Sequence, residues 1–114
     1  MAESESPGNL GEQPRALSVT VDNDRDDGTV VTVCGEIDLE TCVELSAALA
    51  TLDGSRTVSL DLGDVSYIDS TGLRVLLMAR DAAEKAGGTL RVSTTSHIVA
   101  RLIEITGADE LLGN

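Results

Sequence analysis

Apolar and polar positions alternate early in the chain: Leu17, Val19 and Val21 are apolar, and Ser18, Thr20 and Asp22 are polar. A period of two predicts a half-buried strand. An acidic loop, Asp22 to Gly28, then leads to the run Val30-Val31-Thr32-Val33-Cys34, which is β-branched and nearly continuous. Residues 29–37 are therefore predicted as a strand covered on both faces. The period then changes. Cys42, Leu45, Ala48, Leu49 and Leu52 recur at helical spacing, which predicts a helix over residues 42–52 that ends at Asp53-Gly54. Thr41 and Glu44 have the spacing of a capping box, in which hydroxyl and carboxylate each satisfy a free backbone N–H at the helix start.

Residues 57–62 read as a third strand, Gly63 to Asp69 as a loop, and residues 70–86 as a second helix stopped by Gly87-Gly88. A fourth strand over 89–93 and a third helix over 97–106 follow, with Ser96 as its cap and Gly107 as its stop. Strand, helix, strand, helix, strand in that order is the pattern of right-handed parallel crossovers, and the first strand joins as a hairpin partner. The predicted fold class is α/β: one domain, with a mixed four-stranded sheet and about three helices packed on it. Residues 1–15 combine Ser, Glu, Gly, Pro and Gln with almost no large apolar side chains, the composition of a disordered acidic leader. The domain is expected to occupy 16–114.

Composition narrows the function. Tyr67 is the only aromatic residue, so the core must be filled by Val, Leu, Ile and Ala, and no aromatic platform exists for stacking bases. The formal net charge of −12 opposes binding to nucleic acid or anionic membranes, which select Lys and Arg. A protein partner is the natural expectation. There is neither a spanning apolar run nor a signal peptide, which points to the cytoplasm. Cys34 and Cys42 form no framework and no CxxC or Cys/His cluster, so no metal is expected and both read as small core residues. A redox pairing of the two would need Cα atoms within about 7 Å.

Enzyme signatures are missing as well. The only lysine, Lys85, lies late in a helix, so there is no phosphate loop, and neither a Gly-x-Gly-x-x-Gly turn nor a Gly-x-Ser-x-Gly elbow occurs. His97, the only histidine, sits at a helix start, where it reads as a surface or capping residue and not as a general base. No catalytic residue and no cofactor is assigned.

The strongest local feature is Asp61-Leu62-Gly63-Asp64-Val65-Ser66-Tyr67-Ile68-Asp69-Ser70-Thr71-Gly72-Leu73, which joins the third strand to the second helix. In an open α/β sheet, the carboxyl ends of the strands are where ligands and partners gather. Asp69 or Ser70 caps the helix, and a phosphate on a hydroxyl there meets free N–H groups and the positive end of the helix dipole. A plain capping sequence is the simpler alternative. At 100° per residue, Gly72, Val75, Leu76, Ala79, Ala83 and Ala86 share one stripe assigned to the core. Leu73 and Leu77 fall to one side of it: either they stand exposed as the apolar part of a partner site, or they sit at the edge of the core.

On these motifs the chain resembles the STAS domain family, and within it the stand-alone bacterial anti-sigma factor antagonists. The resemblance spans Leu17 to Leu112 and rests on Gly35-Glu36-Ile37-Asp38, Asp61-Leu62, the run Val65 to Leu73, Gly87-Gly88, and Ile105-Thr106-Gly107. It implies a protein that, when unphosphorylated, binds an anti-sigma factor with serine kinase activity and so releases a sigma factor. Phosphorylation ends the binding and a serine phosphatase restores it. By position the resemblance makes Ser70 the acceptor, with Thr71 second, and places Asp38 near Ser70. It gives Asp69 the task of orienting the acceptor and Gly72 that of letting the partner approach closely. It also implies a further short strand and a final helix beyond the third helix, for which the sequence up to Asn114 has little room. The competing function within the same family is a scaffold that no kinase modifies, such as a subunit of a transport or signalling complex.

Overall fold

The structure, a computed structural model, describes residues 17–25 and 28–112. The leader lies outside the described residues. In chain order the elements are β1 (Leu17–Arg25), β2 (Gly28–Ile37), α1 (Cys42–Ala50), β3 (Thr57–Ile68), α2 (Ser70–Lys85), β4 (Thr89–Thr95) and α3 (His97–Thr106), closed by a 3-10 turn at Asp109–Leu112. The four strands form one mixed sheet in the order β1-β2-β3-β4. β1 pairs antiparallel with β2, and β2, β3 and β4 run parallel. Two successive right-handed crossovers in one direction put their helices on the same face, which is why α1 and α2 touch.

Alternation decides which face of the sheet is covered. Val31, Val33 and Ile37 of β2 are fully buried, whereas Val30, Thr32 and Cys34 between them are only half-buried. The expected strand covered on both faces is thus covered fully on one, because a run of β-branched residues suits either environment. The core cluster joins those positions to Leu60, Leu62 and Val65 of β3, Leu45 of α1, Leu76 of α2 and Ile103 of α3. Full burial of each such side chain contributes about 1.5–3 kcal/mol. Tyr67 stays outside at 44% exposure, so the core is free of aromatics, as composition required.

Several boundaries differ from the expected ones, each for a tertiary reason. β3 does not end at Leu62. It runs through the expected loop to Ile68, because pairing with β2 continues through Cys34↔Asp64, Gly35↔Val65 and Ile37↔Ile68. Two register shifts keep Val65 and Ile68 on the buried face. Gly63, where the expected loop begins, lies at the first of these bulges. β4 likewise extends to Thr95, opposite Leu62. β1 continues to Arg25, so most of the expected acidic loop is strand, with an irregularity between Asp22 and Arg25.

Helix ends follow local chemistry. α1 stops at Ala50 because the Thr51 and Leu52 N–H groups bond to the carbonyls of Ala48 and Leu49, tightening the last turn. In the turn after it, Asp53 accepts from the Ser55 hydroxyl at 2.6 Å and the Ser55 N–H at 3.0 Å. The Ser55 hydroxyl above all holds its carboxyl below the usual carboxylate range. α2 ends where Gly88 N–H bonds to the Ala83 carbonyl and Gly87 N–H to that of Glu84. That pair is a Schellman motif, and Gly87 supplies the positive φ of 93°. Ser96 caps α3 as expected, its hydroxyl accepting from the Val99 N–H at 3.4 Å. No helix among the described residues is long and apolar enough to cross a membrane.

Candidate functional site

β2 and β3 end side by side, Ile37 opposite Ile68, and one residue beyond each stands an aspartate, Asp38 and Asp69. The two corners are tied together by the Asp69 N–H, which donates to the Ile37 carbonyl at 3.1 Å. Asp38, Asp69 and Ser70 thus gather at one end of the sheet.

At the β3–α2 corner, Asp69 is the N-cap, and Ser70 is not. Its backbone is extended and its Oδ1 accepts from the Gly72 N–H at 3.0 Å. Ser70 becomes the first helical residue, exposed, and its hydroxyl makes no hydrogen bond among the described residues. Thr71 beside it is half-buried. Arg74, one turn along on the same side, is exposed.

Gly72 is buried, and the close approach it permits is internal. A Cβ there would stand 2.5 Å from Ile37 Cγ2 and 3.0 Å from the Ile37 carbonyl. This corrects the expectation that the missing side chain admits a partner. The first turn of α2 is drawn onto the end of β2, and that rotates the helix. Its buried line is Gly72, Leu73, Leu76 and Ala83, while Val75 and Ala79 are half-buried and Ala86 is exposed. Leu73, at 4% exposure, therefore belongs to the core and not to an exposed partner site. Leu77 is half-buried against the same core.

The β2–α1 corner is built otherwise. The expected capping box is absent: Thr41 is the N-cap residue, but its side chain caps nothing in α1. Its hydroxyl turns back instead. It accepts from the Asp38 N–H at 2.9 Å and donates to the Glu36 carbonyl at 2.7 Å. Asp38 Oδ1 in turn accepts from the N–H groups of Glu40 at 3.0 Å and Thr41 at 2.9 Å. The Asp38–Thr41 pair closes a turn that leaves Leu39 73% exposed, with Val43 67% exposed one helical turn on. The sequence reading missed both, although Val43 lies off the α1 stripe and Leu39 belongs to no periodic run. Those were the available signals.

Cys34 and Cys42 are both free. Cys34 projects from the half-buried face of β2, whereas Cys42 opens α1 on the covered face, with its Sγ 3.3 Å from the Leu39 carbonyl.

The family model described as "Mlab, STAS domain" matches residues 20–113. The chain belongs to the STAS domain family. Over 84 residues it is 37% identical to an anti-sigma-B factor antagonist of Staphylococcus aureus, covering 72% of this chain and 78% of that one. It is 32% identical over 98 residues to the anti-sigma-B factor antagonist of Bacillus subtilis, covering 84% and 90%. The crystal structure of an anti-sigma factor antagonist from Mycobacterium paratuberculosis superposes with a TM-score of 0.75 at 29% identity, covering 88% of this chain and 86% of that one. The single four-stranded mixed sheet with three helices is the arrangement this STAS domain shares with that solved relative.

Proposed function

We propose that this STAS domain is an anti-sigma factor antagonist switched at Ser70. Unphosphorylated, it binds an anti-sigma factor that is also a serine kinase, and a sigma factor is released in the cytoplasm. Phosphorylation of Ser70 ends the binding, and a serine phosphatase restores it. The domain itself contributes no catalytic group; it is substrate and ligand of its partners. The observation that carries the reading is Ser70 itself, an exposed hydroxyl on the first helical residue directly after the Asp69 cap. A phosphate there lies at the positive end of α2 with Arg74 within one turn, so the added charge is accommodated without unfolding. Asp38, Asp69 and the exposed Leu39 and Val43 give the partner surface an acidic and an apolar part. The switch then follows from placing the phosphate's negative charge in the interface, where it is desolvated against the apolar part and repelled by any carboxylate of the partner seated at this end.

The test uses purified anti-sigma kinases of the source organism with ATP. Ser70 is expected to take up phosphate, and Ser70→Ala to bind the kinase normally while blocking uptake. Ser70→Asp should weaken binding by about tenfold or more. Equal affinity of the alanine and aspartate variants would falsify gating by charge. Absence of phosphate uptake with every kinase would favour an unmodified scaffold instead.

A further inference from the structure

We propose that Thr41 is a positioning residue for the partner-binding end of the domain, its hydroxyl holding the Asp38 turn in the one shape that presents Asp38 and Leu39 at the same end of the sheet as Ser70. The inference rests on the reading of Ser70 given above. Thr41 is 2% exposed, and a buried hydroxyl must find partners or destabilise the fold. It finds them across the turn, at the end of β2. The Asp38 N–H donates to it at 2.9 Å, and it donates to the Glu36 carbonyl at 2.7 Å, with Asp38 Oδ1 at 3.1 Å as the alternative acceptor.

These bonds span the last residues of β2 and the first of α1. A helix cap would instead bond forward into α1, and the Thr41 side chain does not. Its bonds therefore serve the turn and not the helix. The Asp38 carboxylate adds the reciprocal bonds to Glu40 and Thr41 N–H, so side chains at both ends of the turn fix its backbone. Fixing matters at this place because Leu39, at 73% exposure, has little contact of its own to hold it. A preformed apolar contact spares the ordering cost on binding, and loss of the hydroxyl restores that cost.

Thr41→Val keeps the shape and removes the hydroxyl, and Thr41→Ser keeps the hydroxyl. Both are made in the full chain and compared by thermal melting, amide hydrogen exchange, and binding to the purified anti-sigma kinase that the wild-type chain engages. In Thr41→Val, exchange of the Asp38 and Thr41 N–H groups should quicken about tenfold while that of Gly72 stays as in wild type. Affinity should fall about tenfold, and the kinase's KM for the chain should rise with kcat kept, since the Asp69 cap is untouched. Thr41→Ser should return every value to within about twofold of wild type. A folded Thr41→Val with wild-type affinity and KM overturns the positioning role and leaves the Ser70 switch standing. A wild-type chain that engages no anti-sigma kinase overturns both. If Thr41→Val does not fold, Thr41→Ala is read in the same way, and failure of both to fold assigns Thr41 to the fold alone.

Discussion

The two strand-to-helix corners at the carboxyl end of the sheet start from the same residue type and reach opposite results. After β3, Asp69 caps α2 directly, so the next residue, Ser70, is already helical and exposed. After β2, Asp38 closes a turn with Thr41 before α1 begins, so an exposed leucine stands where the other corner has an exposed serine. The apolar residues reverse roles too. Leu73 is buried in the core and Leu39 projects into solvent. One corner offers a hydroxyl on a rigid helix start, and the other offers an apolar side chain on a clamped turn. An aspartate at a strand end therefore predicts a local cap without saying what the cap will expose.

Breaking the comparison at its leucines should give the largest effect. Leu73→Ala is expected to cost about 2–5 kcal/mol of stability, because it empties a buried site, whereas Leu39→Ala should stay within about 0.5 kcal/mol. Denaturant melts of both variants check this, and similar losses would show that the corners are not distinct. Next comes Gly72→Ala. The added Cβ meets Ile37 at 2.5 Å, and the overpacking is expected to cost about 1–3 kcal/mol despite the better helix propensity of alanine. A gain in melting temperature would mean that the helix start is looser than its geometry implies. Smallest is Asp69→Ala, which removes the bond to the Gly72 N–H and is expected to cost about 1 kcal/mol. The same loss measured for Ser70→Ala would move the cap from Asp69 to its neighbour; a loss within about 0.5 kcal/mol sharpens the division between the capping Asp69 and the exposed Ser70.

Much of this was legible in the chain. Alternation in β1, the β-branched run of β2 and the helical spacing in α1 and α2 located elements that the structure keeps. The other strands and α3 were also read in their places among the described residues, and Ser96, Gly87-Gly88 and Gly107 marked their helix ends correctly. The run around Asp69-Ser70-Thr71-Gly72 identified the segment that ends β3 and opens α2. The failures share a cause. Gly63 to Asp69 reads as a loop, yet residues 63–68 are strand, because pairing with β2 continues past a bulge through Cys34↔Asp64, Gly35↔Val65 and Ile37↔Ile68. Thr41 and Glu44 have the spacing of a capping box, yet the Asp38 backbone and the Glu36 carbonyl engage the hydroxyl first. Spacing along the chain is blind to groups delivered by another part of the corner.

By itself the sequence determined what depends on neighbours a few residues apart: the element order, the parallel crossovers that follow from it, the aromatic-free core and the acidic hydroxyl-bearing turn. Only the tertiary structure decided the rotation of α2, since that angle is set where Gly72 meets Ile37 of a strand 35 residues earlier. The same contact buries Leu73, and the cap beside it leaves Ser70 in the open. A periodic stripe specifies which residues share a helix face to within one position, and one position is the difference between a leucine in the core and a leucine in solvent.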